Sequence, residues 1–125
     1  DVPHTFTFLG DFARGLVTLG TRDEALGEVW HLPSAETLRV RDFVGLAYEL
    51  AGHAPKLSVM PGPLLSALAL VNPTLRAVNE QRYQVTRPFV VDHAKFARAF
   101  GAQVTPHREA MAATLDWFRR RDAAA

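Results

Sequence analysis

The sequence predicts an α/β fold: a helix-rich lobe in which helices alternate with three to four short strands. Three observations carry this. Apolar residues recur at i, i+3, i+4 and i+7 in successive stretches. Short β-branched and aromatic runs stand between those stretches. Gly, Pro, Asn or Asp punctuates nearly every junction. The order reads β-α-β-α-β-α-α-(β)-α-α, and such alternation predicts parallel strands joined by helical crossovers. Three or four short strands are few for a self-sufficient doubly wound sheet. The pattern reads as the end of an α/β protein.

Taken in order, Phe6–Leu9 is aromatic and β-prone and predicts the first strand. Asp11 is placed to cap a helix carrying Phe12, Leu16 and Leu19, with Gly20 at its end. Glu28–Leu32 predicts a second strand, with Trp30 as a core anchor whose indole N–H needs a partner. After the turn at Pro33–Thr37, a helix with Phe43, Leu46, Ala47 and Leu50 on one face ends at Gly52. Lys56–Met60 predicts a third strand, stopped by Pro61-Gly62-Pro63. Leu64–Val71 is helical and apolar nearly all round, so it is expected to be buried or to face another domain. Asn72 caps a further helix with Pro73 in its first turn, running through Leu75 and Val78 toward Gln81.

Arg87–Val91 reads as extended. Asp92 caps a helix that buries Phe96, Ala99 and Phe100 and closes at Gly101. Thr105-Pro106 opens the last helix, whose stripe is Met111, Leu115 and Phe118. Trp117-Phe118 reads as core or as the contact to another domain. Arg119–Arg121 reads as a solvated helix end that complements the dipole. Ala123–Ala125 is expected to fray.

Composition narrows the function. At 125 residues, 48% hydrophobic and 22% charged, the chain is a single domain spanning residues 1–125, long enough to bury about two-thirds of its unfolded surface. Zero Cys excludes disulfides, thiolate metal sites and Cys nucleophiles, and fits a reducing compartment. A net charge of +1 gives no field for nucleic acid or anionic membrane. The longest apolar run falls short of the ~20 residues that cross a bilayer. With no signal peptide at the Asp1 start, the expected location is cytoplasmic.

Motifs for chemistry are sparse. The five His form no His-x-x-x-His pair, and no Gly-x-Ser-x-Gly elbow or Gly-rich phosphate turn is present. In Leu9-Gly10-Asp11 an acid stands at the helix start, where it repels phosphate. Tyr83 and Arg87 have the spacing of a Tyr-x-x-x-Lys pair, in which the cation lowers the phenol pKa. They precede Pro88, which disfavours helix there. Three readings stand: a catalytic pair, a substrate-facing pair, or plain packing and surface charge.

Several segments together resemble one family. Phe8–Leu16 is similar to the Tyr-Val-Asp-Asp-Val-Ala-x-Ala segment of the extended short-chain dehydrogenase/reductases, the NAD(P)-dependent epimerase/dehydratases. Gly27–Ser34 is similar to their Gly-x-x-Tyr-Asn-Leu-Gly-Ser strand, and Leu38–Phe43 to their Val-Ser-Val-Arg-Glu-Leu helix start. Arg87–Phe96 resembles their Asp-Ser-Ser-Lys helix, and Ala99–Gly101 its Glu-Leu-Gly exit. Thr105–Phe118 resembles their closing Thr-Pro-Leu-Glu-Glu-Gly-Leu helix. Gly10 replaces the first acid of the Asp-Asp pair, and Arg39 stands where the family offers a Ser or Thr cap.

The resemblance implies the C-terminal substrate-binding lobe of a larger Rossmann-type protein, inactive alone, whose dinucleotide-binding half is a missing partner. NAD or NADP would belong to that half, and no cofactor, metal or catalytic residue to this chain. Nucleotide-sugar enzymes often carry an Arg after the third strand, where this chain has apolar Met60–Leu65. A less charged small-molecule substrate is therefore expected, on a carbinol or carbonyl carbon. Leu64, Leu68, Tyr83, Arg87 and Phe89 are the expected substrate contacts, with Arg87 orienting an anionic or carbonyl group. A homo-oligomer is a further possible partner. The competing reading is a free-standing helical module that docks another protein through the 64–71 helix.

Overall fold

The N-terminal segment runs extended between two others, and the regular strand pairing of the chain lies there. In the computed structural model, which describes residues 1–123, β1 (Pro3–His4) pairs antiparallel with β2 (Leu38–Arg39). Pro3 lies opposite Arg39 and His4 opposite Leu38. On the other side His4 forms a parallel bridge to Phe89. Thr5 N–H donates to Phe89 O at 2.8 Å, and Phe89 N–H donates to Pro3 O at 2.9 Å. The expected fraying covers Ala123–Ala125; Ala123 is helical, and Ala124 and Ala125 lie outside the described residues.

This corrects the sheet. Glu28–Leu32 and Lys56–Met60 form no strand, and Phe6–Leu9 runs from coil into a helix. A β-prone run becomes a strand only when a second backbone edge comes alongside it. No such edge reaches 28–32 or 56–60, and Val29 and Val59 stay largely exposed. The expected parallel crossovers give way to one antiparallel pair and one bridge. What holds of the α/β reading is a helix-rich chain with short strands.

Helix α1 (Leu9–Gly20) starts two residues before the expected cap. Phe8 holds the cap position in extended conformation, and Asp11 sits a turn inside. There its side chain is 4% exposed. Its carboxylate accepts from Thr105 N–H and Thr105 Oγ1, both at 2.7 Å, and pairs with Arg14. Thr105, the expected cap of the last helix, thus spends its hydroxyl on Asp11. Gly15 is also buried, because Leu32 packs where its Cβ would be. These contacts fix the rotation of α1. Successive helix residues are turned by 100°, so burying Asp11 and Gly15 on one side turns Leu9, Phe12, Leu16 and Val17 outward. Of the expected core stripe of α1, Phe12 and Leu16 are exposed and Leu19 is half-buried.

Trp30 behaves as the sequence predicts, without a strand. Its indole N–H donates to Ala25 O at 2.9 Å, at the end of a 3₁₀ turn (Asp23–Ala25). Phe96 and Phe100 of the helix Ala94–Phe100 pack edge-on and tilted against it. Lys95 covers the ring at 4.2 Å and donates to Glu28 and to Val29 O. Asp92 accepts from Ala94 N–H at 2.8 Å, but it stands one residue before the cap position, which His93 holds.

The remaining helices form two pairs. Helix α2 (Val40–Ala51) ends at Gly52, whose φ of 74° suits glycine alone among common residues. It packs on the last helix (His107–Ala123) through its predicted stripe, all half-buried. Phe6 stacks on Phe43 at 4.0 Å, and buried His107 meets the Phe43 edge while its Nε2 lies 2.6 Å from Glu36 O. Helix α3 (Gly62–Leu68) packs on α4 (Pro73–Glu80). Asn72 accepts from Thr74 and Leu75 N–H, as the sequence predicts. A short α5 (Tyr83–Thr86) follows; the helices Ala94–Phe100 and His107–Ala123 are α6 and α7. Trp117 and Phe118 are exposed on α7, under Arg121.

The chain exposes 9127 Å². A folded monomer of 13.8 kDa exposes about 6,600 Å² by the mass scaling of globular proteins. No large side chain is fully buried among the described residues. We expect Asp11→Asn to destabilise the fold by about 2–3 kcal/mol, since charged hydrogen bonds to Thr105 and Arg14 are lost in a buried setting. Asn72→Ala should cost only about 1 kcal/mol, the ordinary worth of a cap. Urea denaturation monitored by circular dichroism measures both.

Candidate functional site

The residues between Gly52 and Pro88, with Asp1 and the start of α2, line two roomy hollows. After the α2 cap, the chain runs extended and exposed through Pro55–Met60. Tyr48 OH donates to Lys56 O at 3.2 Å and tethers this run to α2. Pro61 precedes the first turn of α3, with Pro63 inside it. Arg76 donates to the carbonyls of Ala69 and Leu70, closing the α3–α4 turn. Arg87 is extended, as a residue before Pro must be, and this ends α5.

Two hollows of about 610 and 800 Å³ result, and they share Asp1, Val59 and Val85. Met60, Leu65 and Val78 add apolar wall to the first, and Val40, Pro55 and Leu57 to the second. Arg82 lines the first and Arg41 the second. These sizes and this mostly apolar lining suit a small organic ligand. A cleft of about 230 Å³ between α1 and α6 is polar, but its Asp11 is already satisfied. A hollow of about 60 Å³ beside Phe6 and Phe43 is a packing gap.

The sequence-predicted contacts stand beside these walls. Leu64 and Leu68 share the outer face of α3, because Leu65 and Ala69 turn inward. Tyr83 is exposed on α5, with its hydroxyl 3.5 Å from the Gln84 amide. Arg87 is exposed and makes no side-chain hydrogen bond among the described residues. Phe89 contributes its backbone to the His4 bridge and leaves its ring exposed. The hollow is lined by their chain neighbours: Leu65, Arg82 and Val85. The periodicity of α3 alone could not choose between Leu64 and Leu65, since the helix is apolar on all sides. Gly62 was the readable signal for Arg82: a Cβ there would lie 2.6 Å from Arg82 Nη1.

His4 ties the rim of the site to the N-terminal strand. Its Nε2 lies 2.7 Å from Gln84 O and its Nδ1 3.0 Å from Val2 O. Both nitrogens face acceptors, so only the imidazolium donates to both. The Gln84 carbonyl first, then the Val2 carbonyl, hold the His4 pKa above its ordinary value.

The start of α1 does not suit a dinucleotide. The Phe8 ring fills the space over Gly10, 2.7 Å from where a Cβ would be, and the Asp11 carboxylate lies one residue on. A pyrophosphate would meet a ring and a negative charge there. No group of three His, Asp or Glu is placed to hold a metal among the described residues. No described helix is long and apolar enough to cross a membrane. No family model, no curated protein and no solved structure matches the chain.

The His4 contacts predict a pH dependence of defined sign. A raised folded pKa stabilises the α5 contact fully below the ordinary histidine pKa, and the effect is lost as pH rises through the raised value. His4 should titrate above a free histidine in a proton NMR titration, and amide exchange at Thr86 and Arg87 should quicken across that range. A His4 titrating at or below the free value would refute the double contact.

Proposed function

We propose that this chain is the substrate-binding lobe of an NAD(P)-dependent oxidoreductase or epimerase acting on a carbinol or carbonyl carbon. One observation carries this reading furthest: the chain exposes about 2,500 Å² more than a monomer of its mass should, while keeping a ligand-sized hollow. That excess suits a surface meant for another domain. The outward face of α1 is the clearest part of it, with Leu9 77% and Leu16 52% exposed. On this reading a dinucleotide-binding half covers apolar surface and holds NAD or NADP, which supplies the hydride acceptor or donor. This chain contributes the wall of the crevice: it excludes water and orients the substrate by its apolar sides.

A second reading has an observation of its own. A free-standing interaction module would show the same exposed α1 face, and Leu70 and Val71 after α3 are also open. The two differ in chemistry. The enzyme reading expects hydride transfer when the chain is expressed within a longer reading frame carrying a Gly-x-x-Gly-x-x-Gly turn and Tyr-x-x-x-Lys.

The test is cofactor oxidation, followed at the nicotinamide absorbance, for that longer protein and for residues 1–125 alone. Activity and cofactor binding in the longer protein only are expected. Micromolar NADH or NADPH binding by residues 1–125, or the absence of any such longer frame, would refute the assignment. In the longer protein Arg87→Ala should raise KM for substrate at least fivefold with little change in cofactor affinity, and unchanged kinetics would remove Arg87 from the site. Alone, the chain should self-associate in light scattering, and Leu16→Glu should reduce this.

A further inference from the structure

The chemistry of the hollow is uneven. Val59, Met60, Leu65, Val78 and Val85 make an aliphatic wall, and charge enters at three points only: Arg82, Arg41 and Asp1. Neither guanidinium forms an ion pair among the described residues. The two arginines are not equivalent. Beside Arg41 stands the Asp1 carboxylate, which accepts the Arg41 backbone N–H at 3.3 Å. Asp1 lines both hollows, but its carboxylate is held by this hydrogen bond on the Arg41 side, where it repels a second anion. Arg82 instead lies against Gly62, with Nη1, Cζ and Nη2 all within 3.5 Å of the position a Cβ would take. The missing side chain at Gly62 is what lets the guanidinium settle on the mouth of the wall. A planar fork so placed suits a carboxylate, which it can engage through two parallel N–H bonds.

We propose that this hollow binds a monocarboxylate amphiphile, its hydrocarbon body on the aliphatic wall and its carboxylate on Arg82. The proposal rests on the reading of the hollow as a ligand site, and is independent of hydride transfer. It specifies one charge because Arg82 has no acid paired with it among the described residues, and a largely apolar body because Asp1, Gln81, Gln84 and Thr86 are the other polar residues of the Arg82 limb. The carboxylate is anchored on Arg82, one turn of chain before the Arg87 that the sequence suggested.

The experiment uses residues 1–125 with dodecanoate, dodecanol and dodecyltrimethylammonium, each below its micelle concentration, by calorimetry and methyl NMR. Dodecanoate should bind at least tenfold tighter than dodecanol, and the ammonium weakest. Arg82→Gln should erase the tenfold preference while leaving dodecanol binding unchanged, and Arg82→Lys should restore part of it. Gly62→Ala should reduce the preference by displacing the guanidinium. Equal binding of dodecanoate and dodecanol would overturn the anion assignment. So would a preference that survives Arg82→Gln or vanishes with Leu16→Ser, which would locate the amphiphile on α1. No binding of any probe by a chain with intact circular dichroism would overturn the ligand-site reading as well. A dodecanoate preference in a protein whose longer form transfers no hydride would support the proposal and refute only the enzymatic reading.

Discussion

The carboxylate of Asp11 accepts from both the backbone N–H and the hydroxyl of Thr105, ninety-four residues further along, while Arg14 closes over it. A buried carboxylate without such partners would be costly, so the three groups must meet or the side chain must leave the interior. Their meeting brings the start of α1 to the residues just before α7. From there α7 reaches α2, with Arg108 on Glu49 at 2.6 Å, and the Phe6–Phe43–His107 cluster fills the space between. The surface pair with Arg108 holds the Glu49 carboxyl below its ordinary range, but both partners are exposed and the contact adds little stability.

The same contact decides what the molecule shows to its surroundings. A helix has one rotational setting, and α1 is set by its polar and glycine side. Its aliphatic side is left without a partner within the described residues. The excess of exposed surface and the small core follow from this, since Leu9, Phe12, Leu16 and Val17 are lost to the interior together. The hollow near α5 has a separate origin: the 55–60 run, with no strand to pair, stands away from α3 and α4 and leaves apolar room between them.

Some local signals in the sequence survived, while the Asp11 and Thr105 cap signals gave way to the long-range contact between those two residues. Asn72 capped the helix after it, Gly52 and Gly101 closed theirs, and Arg87 before Pro88 stayed extended, although Tyr83–Thr86 formed a helical turn where the proline was expected to disfavour one. The indole of Trp30 found its acceptor. The strands were misjudged because pairing is a property of two segments. The candidate site was half legible: residues 64–71 and 83–89 flank the hollow, yet the lining belongs to Leu65, Arg82 and Val85. On an all-round apolar helix, hydrophobicity carries no phase, and only packing of Leu65 and Ala69 against α4 assigns one.

The sequence by itself determined that the chain is helix-rich, where Asn72 caps and where Gly52 and Gly101 close their helices, and that thiol chemistry is absent, because such caps, turns and composition act within a few residues. Tertiary structure alone decided which face of α1 is buried, which of two adjacent leucines on α3 points inward, and which of two nearby arginines meets the hollow. Those outcomes depend on partners distant in the chain: Thr105 for Asp11, Leu32 for Gly15, Gly62 for Arg82. A helical period names the candidate faces, but only a long-range contact energy selects one of them.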